Sequence, residues 1–95
     1  MGEYKLTSNE KTISKYIFNE GCIRNEESAA KIAEIIFESV FGEFFDYELP
    51  LLVDFDKIDQ NWLIMTRIPE NHMGIRKYLI IRRSNAEIVA IWKTN

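Results

Sequence analysis

The chain has 95 residues, 46% of them apolar and 28% charged, with a formal net charge of −3 and one cysteine. That is one domain with a modest core, and the composition is that of a folded globular protein. Charges of both signs are scattered, which argues against a nucleic-acid or membrane surface. Cys22 has no partner for an internal disulfide, and no apolar run approaches the roughly 18 residues of a membrane span. The start, MGEYKLTSNE, lacks the apolar centre of a signal peptide, and Leu6 stands where a myristoylation motif needs Ser or Thr. A cytoplasmic location is the expectation.

In chain order, residues 1–9 read as loose. In residues 10–18, Ile13, Tyr16 and Ile17 have the spacing of a short helix, although YIF would also suit an extended piece. Asn19-Glu20-Gly21 is a turn signal. The stretch from Asn25 to Gly42 is the best punctuated in the sequence. Asn25 suits an N-cap, Glu26 and Glu27 suit the first turn, and Gly42 suits the stop. At 100° per residue, Ala29, Ala30, Ile32, Ala33, Ile36, Phe37, Val40 and Phe41 fill one half of the wheel, the pattern of a core-facing helix. Ile35 falls among the polar residues as an ordinary exposed apolar side chain.

Four strands follow. Leu51, Val53 and Phe55 alternate with Leu52, Asp54 and Asp56, after Pro50, which cannot donate to a ladder. Asp59-Gln60-Asn61 reads as a turn. Trp62, Ile64, Thr66 and Ile68 share one face of the next strand, opposite Leu63, Met65 and Arg67. After the loop Glu70 to Gly74, Ile75, Lys77, Leu79 and Ile81 lie opposite Arg76, Tyr78, Ile80 and Arg82. Ser84-Asn85-Ala86 is a tight connection, with Asn85 expected to take a positive φ. In the last strand Ile88, Ala90 and Trp92 share one face and Val89 and Ile91 the other. Short connections favour antiparallel neighbours. The expected fold is α+β: one long helix packed on a four-stranded antiparallel meander, as a single domain over residues 1–95.

Chemistry is sparse. His72 is the one histidine and has no metal-ligating neighbour except Glu70, so a metal site is not expected. Cys22 and His72 lack the activating context of a nucleophilic pair, and a small semi-buried cysteine is the simpler reading. The run DFDKID lacks the length, Gly and final Glu of a calcium loop. Arg76 and Arg82 share a face with Tyr78, an arrangement seen in nucleic-acid binders, but charged outer faces are normal on half-exposed sheets. No catalytic residue, metal or cofactor is expected.

From Tyr16 to Asn95 the chain resembles a small bacterial family, the NTF2 fold immunity proteins. The resemblance is carried by the lead-in YIFNEGCI, the capped helix NEESAAKIAEIIFESVFG and the proline before the first strand in ELPLLV. QNWLIMTRIP and the hairpin YLIIRRSNAEIVAIW complete it. Met73-Gly74 stands where the family usually has Gly-Gly, Ser84-Asn85-Ala86 lacks the turn glycine, and Cys22-Ile23-Arg24 has no proline. The resemblance implies a cystatin-like or NTF2-like fold. It also implies a non-catalytic protein that binds a cognate toxin and neutralises it.

Such a binder needs exposed aromatic or charged anchors. The run Glu43 to Glu48 is the first candidate, with Phe44, Phe45, Tyr47 and Glu48 as contacts; the loop with His72 is the second. The same aromatics would alternatively cover the open end of the core. Two other readings stand beside this one. A small NTF2-like ligand-binding protein or enzyme would need a carboxylate such as Asp54, with Tyr78, facing inward. An interaction domain would use Leu63, Met65 and Ile80, with Val89 and Ile91 beside them, which leave the second sheet face more apolar than a wet face usually is. Either a homodimer through that face or a cover by residues 4–18 is then expected.

Overall fold

A computed structural model describes residues 21–69 and 74–94. Helix α1 spans Glu26–Phe41, and a single 3-10 turn spans Asp46–Glu48. Strands β1, β2, β3 and β4 span Leu52–Asp56, Asn61–Met65, Lys77–Arg82 and Ile88–Lys93. The strands form one antiparallel sheet in sequence order, and the helix lies against β1 and β2. The architecture is therefore the expected α+β one. The readings made for residues 1–18, and for His72 in its loop, lie outside the described residues.

The helix starts and stops for local reasons. Asn25 is extended, and its Oδ1 accepts a 2.8 Å bond from the Ser28 amide. Gly42 sits at φ 90°, ψ −170°, a region practically reserved for glycine, and its N–H donates to the Glu38 carbonyl. Ala29, Ala33 and Phe37 are the buried positions of the helix. The two alanines let the backbone approach the sheet, and Phe37 fills the space toward the exit. With Ile23, Trp62, Ile64, Leu79 and Ile81 they form the core. Ile35 is exposed as expected, but Val40, at 55% exposure, is not buried. Its angle on the wheel is right, yet in the last turn it is the next residue, Phe41, that packs against the core.

Alternation decides the strand faces. Trp62, Ile64 and Thr66, and Lys77, Leu79 and Ile81, point to the helix side and are buried. Beyond Ile80 the pattern slips. Ile80 pairs with Ala90 but Ile81 pairs with Ile88, so β4 carries one extra residue there. A bulge reverses side-chain parity. Ile88 is therefore opposite a core residue instead of sharing a face with Ala90 and Trp92, as simple alternation predicts.

The turns also differ in detail. The first runs over residues 57–60, with Asp56 Oδ1 accepting the Ile58 amide at 2.9 Å, and Asn61 already belongs to β2. In the second, Ala86 takes the positive φ of 62°. Asn85 instead uses its Oδ1 to accept the Glu87 amide, so its polarity, not its left-handed tolerance, builds the turn.

Long-range bonds join the lead-in to the sheet. The amides of Cys22 and Ile23 both donate to the Arg83 carbonyl at 3.0 Å, and Trp62 Nε1 donates to the Ile23 carbonyl at 3.0 Å. Gly21, at φ 91°, lies where a Cβ would stand 3.3 Å from the Arg83 side chain. Trp62→Phe keeps an aromatic ring but leaves the Ile23 carbonyl without that donor. It should destabilise the fold by about 1–3 kcal/mol, read as a lower urea midpoint at unchanged slope. An unaltered midpoint would show that this bond is not holding the lead-in. Asn25→Ala should cost about 1 kcal/mol, measured the same way.

Candidate functional site

The chain leaves the helix at Gly42 and must turn back to begin β1. The residues it uses, Glu43 to Pro50, include four of the five selected from sequence as partner contacts. Their environments divide them. Phe44 is half-buried and meets Phe37 edge to face, with ring centroids 6.1 Å apart at 86°. Phe45 is 64% exposed. It lies parallel to Tyr47, with centroids 5.5 Å apart and 3° between the planes. The Tyr47 hydroxyl reaches to within 3.9 Å of where a Cβ on Gly74 would stand.

Glu48 turns inward and is 3% exposed. In this conformation it shapes the run without presenting a surface. Its Oε1 is 3.0 Å from Lys77 Nζ, and its Oε2 accepts the Phe45 amide at 2.8 Å. Its own amide donates to the Phe45 carbonyl at 2.9 Å, and its carbonyl accepts from Arg67 at 3.1 Å. The carboxylate reaching back three residues to an orphan amide is half of a capping box. One side chain thus closes the turn and fastens it to β3.

Lys77 is the partner that sequence reasoning missed. Alternation placed it on the apolar face with Leu79 and Ile81, and a lysine there needs a buried anion. That was the available signal. Its ammonium also lies 5.3 Å from the Phe44 ring centroid and 5.9 Å from that of Phe41, positions favourable for cation–π attraction. Its amide donates to Thr66 Oγ1 at 2.9 Å, and its carbonyl accepts from the Thr66 amide. Helix end, 3-10 turn, β2 and β3 all meet at this ion pair.

The remaining candidates lie elsewhere. Cys22 is exposed, not semi-buried as expected. Asp54 and Asp56 are exposed on β1, where Asp54 Oδ1 accepts the Phe55 amide at 2.9 Å. Tyr78 stacks on Trp92, 5.0 Å apart and 8° from parallel, on the sheet face away from the helix. Arg82 pairs with Glu87 at 3.6 Å, and Arg83 donates to Gln60 Oε1 at 3.0 Å. Among the described residues no group of three or more His, Cys, Asp or Glu could hold a metal ion, and no helix is long and apolar enough to cross a membrane.

The ion pair makes a stability prediction with two arms. Glu48→Ala strands the Lys77 ammonium in the corner and should cost about 3–5 kcal/mol. The double variant Glu48→Gln, Lys77→Met keeps an acceptor for the Phe45 amide and fills the ammonium's place with an apolar group. It should lie within about 1 kcal/mol of the parent in chemical denaturation. Equal damage from both would mean that the charges themselves, not the satisfied contacts, hold the corner.

No protein-family model, curated protein or solved structure matches this chain.

Proposed function

We propose that the protein is a non-catalytic immunity factor: it binds a cognate bacterial toxin protein in the cytoplasm and blocks it by stoichiometric contact, using no cofactor. The family resemblance of the sequence supplies the class of partner. The observation that carries the reading is the exposed Phe45 ring stacked on Tyr47, in a turn fastened from below by the Glu48–Lys77 pair. Aromatic anchors held in place before binding lose little side-chain entropy on contact, and such residues dominate the energetics of protein interfaces. Phe45 and Tyr47 are the contacts in this reading. Phe44 and Glu48 set their position, one by packing on Phe37 and the other by closing the turn.

The test is titration calorimetry against the product of the adjacent toxin gene. Phe45→Ala and Tyr47→Ala should each weaken binding by about 2 kcal/mol, roughly thirtyfold in Kd. Phe45→Ala should do so with an unchanged unfolding midpoint, because its ring is mostly in solvent. Full-strength binding by both variants would move the interface off this corner. No binding by the parent chain would remove the immunity reading.

A further inference from the structure

Among the described residues the sheet is open, with β1 and β4 at its edges, and the two edges are not alike. On β1, Asp54 and Asp56 are exposed, and the Asp54 carboxylate accepts the Phe55 amide of its own strand. Charge and self-capping are ordinary guards against a second strand. The other edge, β4, reads IVAIWK. Its single charge, Lys93, stands at its end; it has no acidic residue and no proline, and Ile88, Val89 and Trp92 are exposed.

Thr94 donates its amide to the Arg76 carbonyl, so from Ala90 on the even-numbered residues of β4 turn their backbone groups to β3. By the alternation of an antiparallel ladder, Ile91 and Lys93 turn theirs to the open edge. We propose that β4 pairs antiparallel with β4 of a second copy, about a two-fold axis at Ile91, giving one eight-stranded sheet.

The strand is self-complementary in that register. On the face away from the helix, Trp92, stacked on Tyr78, meets the small Ala90 of the second copy, and the reverse contact follows by symmetry. A large ring opposite an alanine fits where two equal rings would collide. The apolar row of Leu52, Met65, Tyr78 and Trp92, aligned across the four strands, then continues into the second copy. On the helix side, Val89, the extra residue of the bulge, comes opposite the second copy's Lys93. This edge-to-edge pairing differs from the face-to-face dimer that the apolar sheet composition suggests.

Sedimentation equilibrium of the full chain tests it, and the facing of Val89 and Lys93 gives the test a sign. The parent chain should dimerise. Val89→Lys places like charges opposite each other twice and should raise the dimer Kd about tenfold or more. Val89→Glu creates two cross-strand ion pairs and should leave the Kd unchanged or lower it. Val89 is 46% exposed, so both variants should keep the parent circular dichroism. Ile35→Lys, on the outer side of the helix, should not alter association. A parent chain that stays monomeric up to about 1 mM overturns the proposal whatever the variants do. So does equal weakening by both charges, the response of a face-to-face or nonspecific apolar contact. Neither result depends on the toxin.

Discussion

The corner between the helix exit and the sheet depends on one buried ion pair. A lysine on the core face of β3 is admissible only with an anion beside it, and Glu48 is that anion. The requirement runs in both directions. Lys77 draws the 3-10 turn down onto the sheet, and the turn's closure brings the Phe45 amide to the remaining carboxylate oxygen. Phe41 and Phe44 stand about the ammonium, so the rings that close this end of the core also meet the charge. An apolar pair would fill the same volume, but it would not fix which rotation of the turn is correct. The Phe45 amide and the Lys77 ammonium, each donating to one carboxylate oxygen, do.

The consequence for recognition lies in how the aromatics are divided. Phe44 is held by the core and Phe45 by the turn, and adjacent residues of one type thus face opposite ways. Phe45 keeps its parallel contact with Tyr47 while most of its surface stays in water. The backbone beneath it is bonded at both Phe45 and Glu48. A presented ring on a bonded backbone is a preorganised contact, whatever the partner's chemistry.

Much of the fold was legible because each element carries its own punctuation. Asn25 and Gly42 mark the helix, Pro50 precedes the first strand, and the period-two pattern from Trp62 to Thr66 and from Lys77 to Ile81 sorts the faces. The misses share a cause: they depend on what lies opposite. Val40 has the right angle, but the contact at its height is made by Phe41. Ile88 has the right parity until a bulge shifts it. Ala86 takes the left-handed conformation because Asn85 is engaged with Glu87. Single-strand periodicity contains none of this. At the site, the aromatic run was legible as a run, but its division into inward and outward residues was not. Glu48 looked like one more surface carboxylate, and only the lysine on the apolar face of β3 hinted otherwise.

The backbone bonds from Cys22 and Ile23 to Arg83 have a meaning for the order of synthesis. The helix precedes every strand of the sheet and is well capped, yet the segment that leads into it has its partner at the β3–β4 turn. The indole of Trp62 becomes available sooner, after the first hairpin, and can hold the Ile23 carbonyl across 39 residues. The lead-in is therefore held twice, by a side chain of β2 and by the backbone that follows β3. The second hold exists only once β3 has been added, so the entrance of the helix is fully fastened only in a chain that extends past Arg83.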